Sequence, residues 1–410
     1  MTRCPGSILT ACLLALIGVL PTGAFAQAPT LITRIDAVQA ALDHAPRLLL
    51  AGSDTAAASA TVLAARLFPD PTASAGYSRS TPRYHLELSI PLDLPWIRSA
   101  RSAAARSGRT GSQLRFAFAR VAAQLDADTA YTAALAAREF HALSRRNARD
   151  ADSLFRIAVL RRDAGDASDL DVELARIFAG QQTNMSAGDS LSAEAALLTL
   201  QAAMGMVGSE ITIALADTLQ RPTLEVDTPR NGRLLPIAAA EADVHTAELA
   251  TQLQRRSRVV EPTLTGGFEN GDPGGSERGI LPTVGITLPL PLVNRNRGNV
   301  ALAEAELQRA QAVLASIRIE STTGVGRARR ALRIALDQLA RDEQLTAAAD
   351  RVSMMSLIAY REGAATLASV LEAQRMAREI RSQSVADLAA AWIARGVLHL
   401  LTATVAESMP

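Results

Sequence analysis

The chain has no lysine, and all 42 of its basic residues are arginine. They are interspersed with 41 acidic residues for a net charge of +1, and this mixture excludes a polybasic nucleic-acid surface. Aromatic residues are 3% of the chain, too few for a stacking platform on bases. Cysteine occurs only as Cys4 and Cys12. The five histidines, His44, His85, His141, His245 and His399, are scattered, with no second ligand at helical or zinc-finger spacing. No Gly-x-Ser-x-Gly elbow, phosphate loop or dinucleotide fingerprint is present. Neither catalytic residues nor a cofactor or metal site is therefore predicted.

Arg3, an apolar run over residues 8–20 and the small-residue site Ala24-Phe25-Ala26 read as a secretory leader, with Gln27 as the first mature residue. Both cysteines fall inside it, so the mature chain is expected to carry no thiol. A lipoprotein box at Leu9-Thr10-Ala11-Cys12 is disfavoured because the apolar run continues past Cys12. Beyond the leader, no apolar stretch reaches the roughly 20 residues of a membrane-spanning helix. Any insertion must then use strands.

What the chain does have is a duplication. Residues 162–176 align without a gap on residues 360–374, an offset of 198, matching Gly165 to Gly363, Val172 to Val370 and Ala175 to Ala373. The same offset places Pro91 on Pro289 and Leu92 on Leu290. Units of about two hundred residues are too long for a solenoid period. In each, apolar residues occupy alternate places, at Tyr84, Leu86, Leu88 and Ile90 and again at Val284, Ile286 and Leu288. Such alternation marks a strand with one apolar and one polar face, which points His85, Glu87 and Ser89 the other way. A weaker strand precedes each, giving two hairpins, 71–91 and 262–290. Proline-free stretches follow, 98–164 and 297–362, long enough for helices of about 100 Å. In the second, Leu307, Leu314, Ser321, Ala328 and Ala335 recur by sevens beside Ala310, Ile317, Gly324 and Ala331, a small-residue seam for close helix packing.

The expected plan is a leader (1–26), a first repeat (27–207), a connector (208–235), a second repeat (236–405) and a short tail (406–410). Each repeat holds a helix, a hairpin, a long helix and a returning helix, and residues 31–66 read as the first helix, interrupted at Pro46. Two hairpins cannot close a barrel, and an open sheet with an apolar outer face would aggregate. Four strands per chain in a three-fold oligomer would close a barrel of about twelve.

In this order of elements, in the Pro-Leu pairs at the strand exits and in the Tyr360-x-x-Gly363 motif leading to residues 370–374, the chain resembles the TolC family of trimeric outer-membrane efflux channels. Residues 289–299 resemble more narrowly the outer-membrane components of cobalt-zinc-cadmium type efflux systems. The resemblance implies a mainly α fold with a small β part: a trimeric 12-stranded barrel in the outer membrane, continued by a periplasmic helical tunnel. The implied function is a passive exit duct, not an enzyme, with heavy-metal cations as one candidate cargo. Its implied partners are outer-membrane lipid, a periplasmic adaptor (membrane fusion) protein and an inner-membrane pump of the resistance-nodulation-division type, with no nucleic acid.

By the same resemblance Gly165, Ser168, Gly363 and Thr366 fall at adaptor-docking tips. Asp171 and Glu372 fall at the periplasmic aperture, with Arg161, Arg162 and Arg361 as candidate latches. Ser369 stands where family members often carry an acid, and Ala365 where some carry an arginine. The lipid face would comprise Tyr84, Leu86, Leu88, Ile90, Val284, Ile286 and Leu288. A soluble periplasmic scaffold or adaptor is the competing reading, and drug efflux and type I secretion remain open within the duct class.

Overall fold

The structure is a computed structural model that describes residues 29–80, 82–208, 210–222, 232–271, 274 and 279–405. The expected leader with both cysteines, Pro229 and Asn231 of the expected connector, most of the Gly-rich insert and the expected tail lie outside the described residues.

The chain opens on a strand, β1 (Thr30–Ile32), so Leu31 and Ile32 do not belong to the helix expected from residue 31. Thr33 then starts α1 (Arg34–His44) through a capping box with Asp36, and each side chain satisfies an otherwise unpaired backbone N–H. Ala45 is extended, as the residue before a proline must be, and Pro46 is the first residue of α2 (Pro46–Ala64). A hairpin, β2 (Thr72–Tyr77) and β3 (Tyr84–Pro91), leads to α3 (Pro95–Asp163). At 69 residues, α3 is about 100 Å long, and α4 (Asp169–Ala203) returns along it. The connector contains a second missed strand, β4 (Ile213–Leu215), which pairs in parallel with β1.

The second repeat follows the same order: α5 (Leu235–Arg256), β5 (Thr263–Asn270), β6 (Ile280–Thr287), α6 (Arg297–Arg361) and α7 (Leu367–Thr402). The two hairpins join through β3 and β5 into one antiparallel sheet of order β2-β3-β5-β6. Beneath the sheet, α3 packs between α2 and α5, and α5 packs on α6. Toward the far end, α3 lies against α4 and α7, and α7 against α6. The margins of the protomer are therefore β2, α2 and α4 on one side and β6 and α6 on the other.

The α6 seam departs from a strict seven-residue repeat. Ser321, Ala328 and Ala335 are buried as expected, but Ala331 is exposed and Leu332, Leu336 and Leu339 take the buried places. A straight helix of 3.6 residues per turn drifts off a heptad, and here the contact moves on by fours. Contrary to the expectation from sequence, one helix is apolar enough by length and composition to span a membrane. Within α7 an 18-residue window averages 1.3 and meets the length and composition of a membrane span, because alanines count as apolar. It packs along α6 through Ala391 and Leu398.

Candidate functional site

The sheet has two unlike faces, and the strand register sorts them. Leu86 lies opposite Ala75 and Phe268, Leu88 opposite Ala73 and Gly266, and Ile90 opposite Leu264. On β6, Val284 faces Gly266 and Ile286 faces Leu264. Directly opposed residues share a face, so this side is apolar from strand to strand. It is also uncovered: Val284 is 86% exposed, and Tyr84, Leu86, Leu88, Ile90 and Ile286 are all exposed. Leu288, equally exposed, lies just past the end of β6. The other face carries His85, Glu87, Ser89, Thr265, Glu269 and Thr283, and among the described strand residues it holds no arginine. Glu87 accepts a hydrogen bond from the Ser89 hydroxyl at 3.1 Å, and His85 is the cross-strand neighbour of Glu269. Strands of eight residues such as β5 and β6 rise about 3.3 Å per residue and, tilted as barrel strands are, span about 20 Å, most of an apolar band about 25 Å tall.

The strand exits are built differently in the two repeats. After β3, the fully buried Asp93 side chain accepts from Arg101 at 2.8 Å, with Arg98 at 3.8 Å. Arg98 also stacks on Phe68 at 3.9 Å. After β6, the Asn-Arg-Asn-Arg segment turns through two left-handed residues, Arg295 and Asn296. The Asn296 side chain donates to the Gln254 carbonyl at 2.8 Å and so ties the turn to α5.

At the opposite end both helical hairpins turn in the same way. Gly165 donates to the Arg162 carbonyl at 2.9 Å and Asp166 to the Arg161 carbonyl at 2.7 Å. Gly363 donates to the Tyr360 carbonyl at 3.2 Å and Ala364 to the Ala359 carbonyl at 2.8 Å. These are Schellman closures, and each glycine sits at the position that needs positive φ, +85° and +74°. Ser168 caps α4 in a box with Asp171 at 3.1 Å in both directions. Thr366 caps α7 by accepting from the Ser369 N–H at 3.3 Å. Leu154, Ala158, Val172, Ala175, Tyr360 and Val370 make a common core just behind both turns.

The predicted aperture residues are not all brought together. Arg161 bridges the two hairpins, stacking on the Tyr360 ring at 4.7 Å and donating to its carbonyl at 2.8 Å. Arg162 pairs with Asp163 at 2.6 Å and lies 3.9 Å from Asp169. Arg361 forms no ion pair among the described residues. Asp171 is engaged in its cap, and Glu372 is held by Arg375 on its own helix at 2.7 Å, not by a tip arginine. That hydrogen bond from Arg375 lowers the Glu372 carboxyl below its ordinary pKa.

A polar knot at mid-height is invisible in sequence spacing. The Tyr131 side chain is fully buried, and its hydroxyl lies 2.8 Å from an Asp217 oxygen and 3.0 Å from the Ile32 carbonyl. Asp217 also accepts from the Arg34 backbone N–H at 2.8 Å. The Arg34 guanidinium pairs with Asp128 and stacks 3.9 Å from the Trp392 ring. Arg138 donates to the Leu215 carbonyl at 2.9 Å. Together these groups fasten the β1–β4 pair to α3 and α7. The one sequence signal was a tyrosine, one of four in the chain, set inside a helix otherwise rich in alanine.

Burial first, then the hydrogen bond to Asp217, pushes the Tyr131 phenol up to about 12. A raised pKa means the native state holds its proton more tightly. The stabilisation is therefore complete below the unfolded value near 10 and is lost as pH climbs toward 12. Tyr131→Phe should lower stability at neutral pH by about 1–2 kcal/mol and flatten the alkaline fall. Melting temperatures taken between pH 7 and 12 check both; a variant as pH-sensitive as the parent would dismiss Tyr131 as the titrating group.

Residues 235–403, the second repeat almost entire, match the family model of the outer membrane efflux protein. By its second repeat the chain is similar to the outer membrane efflux protein family. Its place is the outer membrane, and the family and fold are those of passive channels. Among relatives, it is 28% identical over 261 residues to the pyoverdine export outer membrane protein OpmQ of Pseudomonas aeruginosa, covering 60% of this chain but 53% of that one. The match thus spans about half the length of that relative. It is 24% identical over 321 residues to the cobalt-zinc-cadmium resistance protein CzcC of Cupriavidus metallidurans, covering 77% of this chain and 76% of the relative. In fold it is similar to a membrane protein from Pseudomonas aeruginosa, with TM-score 0.76, 22% identity and 92% of each chain covered. The Campylobacter jejuni CmeC outer membrane channel is equally similar, with TM-score 0.76 at 17% identity, over 90% of this chain and 85% of that one.

Proposed function

We propose that this efflux protein works as a homotrimeric exit duct in the outer membrane, receiving cargo from a periplasmic adaptor and an inner-membrane pump of the resistance-nodulation-division type. The observation that carries the reading is the sheet, apolar and bare on one face, polar on the other, with both edges open. A four-stranded sheet of this kind is unsatisfied in water and in lipid alike, because β2 and β6 each present unpaired backbone groups. Three copies joined edge to edge form a closed barrel of about twelve strands. Tyr84, Leu86, Leu88, Ile90, Val284, Ile286 and Leu288 then meet lipid, and the polar face lines the lumen.

The lumenal charge supports a cationic cargo. Glu87 and Glu269 with His85 line it in each protomer, opposed by no arginine on the described strands, and rings of carboxylates favour cations. This agrees with the metals named for CzcC better than with the pyoverdine named for OpmQ. Gly165, Ser168, Gly363 and Thr366 form the adaptor-docking tips, and Asp171, Glu372 and the neighbouring arginines flank the aperture. A soluble scaffold would leave the apolar face uncovered, so it is disfavoured.

Electrophoresis of the outer-membrane fraction with and without boiling tests the duct. A band near three times the mature mass that collapses on heating is expected. A soluble periplasmic monomer would remove the barrel and the duct with it.

A further inference from the structure

The end of the sheet that meets the helices is rich in arginine. Over residues 64–71, 91–101, 253–262 and 288–304, the four passages between strand and helix, there are eight arginines and four acids. In the first repeat an open groove of about 420 Å³ runs between the end of α2 and the start of α3, with Arg66, Phe68, Asp93, Arg98, Ser102 and Arg106 in its walls. Asp93, the one acid lining it, has a fully buried side chain and is already held by Arg101 and Arg98. Arg66 and Arg106 are exposed and make no ion pair among the described residues. The accessible charge of the groove is therefore positive. Arg98 donates to the Arg66 carbonyl at 2.7 Å and Arg106 to the Ser102 hydroxyl at 3.0 Å. Arg98, Ser102 and Arg106 recur by fours down one side of α3, over about 12 Å. Helical side chains lean toward the N-terminus, which for α3 is the sheet end, so Arg106 reaches back toward the strands.

The groove also stands at the right height. The Leu92 N–H donates to the Pro262 carbonyl at 2.8 Å, the last rung between β3 and β5, and Leu92 prolongs by alternation the exposed apolar row of Leu86, Leu88 and Ile90. Just beyond that rung a head-group layer about 5–8 Å deep would begin, and Asp93 is the next residue. Leu67 and Phe68 are exposed there, at 59% and 64%, and Arg98 lies 3.9 Å over the Phe68 ring. Apolar surface beneath arginine head groups suits the boundary between lipid and water. Asp93 Oδ1 is buried without a hydrogen-bond partner among the described residues, an acceptor that a head-group hydroxyl can satisfy.

Resting on the outer-membrane duct, we infer that this groove binds the head group of an anionic phospholipid of the periplasmic leaflet, with the phosphodiester among Arg66, Arg98 and Arg106. The acyl chains run along Phe68 and onto the apolar face of the sheet. A lipid is the occupant because one molecule matches the arginines and the apolar rim together, and the groove opens directly below the face assigned to lipid. A soluble anion would leave Leu67 and Phe68 in water. Phosphatidylglycerol fits the chemistry, with a net negative charge and glycerol hydroxyls for Asp93. Phosphatidylethanolamine would bring an ammonium group among arginines, and like charges repel.

Native mass spectrometry of the full-length trimer in a neutral detergent reads the site directly. The parent should retain dioleoylphosphatidylglycerol at one molecule per protomer, and dioleoylphosphatidylethanolamine at the same concentration roughly tenfold less. Neither Arg66 nor Arg106 holds Asp93, so R66Q/R106Q should trimerise as the parent does. It should nevertheless lose the preference between the two lipids, whereas R66K/R106K should keep it. Inorganic phosphate in excess should not displace the bound lipid. Equal retention of both lipids by the parent, or an unchanged preference in R66Q/R106Q, overturns the lipid site and leaves the duct standing. Displacement by phosphate does the same, and would make the groove a site for soluble anions. A parent protein that forms no trimer overturns the duct and the site with it.

Discussion

Leu86→Arg should leave the protein out of the outer membrane. Leu86 lies in the second register row of β3, flanked on its own face by Ala75 and Phe268, well inside the apolar band. An arginine on the lipid face near the midplane costs about 2–4 kcal/mol. In a closed trimer that cost falls three times on one barrel, a total comparable to the whole stability of a domain. The companion Glu87→Gln, one residue along, removes a charge from the opposite face and should assemble normally, because nothing there touches lipid. Fractionation followed by the heat-collapse assay separates the two. Normal assembly of Leu86→Arg would mean that the exposed apolar face meets protein, not lipid.

The contrast between neighbouring residues also shows how much of the fold was legible in the sequence. The two hairpins could be read because period-2 alternation over Tyr84 to Ile90 suits a two-faced strand and no helix. The long helices could be read because prolines are absent where the pattern is helical. Strands β1 and β4 could not be read. Each is three residues long, too short to show a period, and β4 sits in a stretch whose prolines suggest only a connector. The mid-height knot was hidden for another reason. Its partners Arg34 and Asp217 are 183 residues apart, so no local spacing joins them, and only the return of α4 brings them to one place. Asp171 was legible by position but not by role. The resemblance implies an aperture carboxylate there, while the spacing from Ser168 is that of a capping box, and the box is what the structure shows. In the proposed trimer, contact of that carboxylate with cargo would be set by the three-fold axis, a property of the assembly and not of one protomer.

The tip glycines offer the sharpest separation of backbone from surface. Both stand at positive φ in Schellman turns, where an ordinary L-residue costs about 1–2 kcal/mol, so loss of efflux in Gly165→Val or Gly363→Val would mix turn strain with blocked docking. Asparagine divides the two. It tolerates the left-handed region far better than branched residues, and there is space for it: a Cβ at Gly165 would meet nothing within 4 Å, and one at Gly363 only the Arg161 guanidinium at 3.7 Å. The double variant Gly165→Asn/Gly363→Asn should therefore fold, trimerise and reach the outer membrane at parent levels. Its tips nevertheless carry six extra polar side chains per trimer on the surface assigned to the adaptor. If that surface is the docking site, resistance to the pump's cargo should fall to that of cells lacking the channel, while the heat-labile trimer band stays unchanged. Full resistance would move the adaptor contact away from the turns, to the helical sides above them. Loss of the trimer band would show instead that the turns are needed for assembly, and a docking role could no longer be drawn from the loss of efflux.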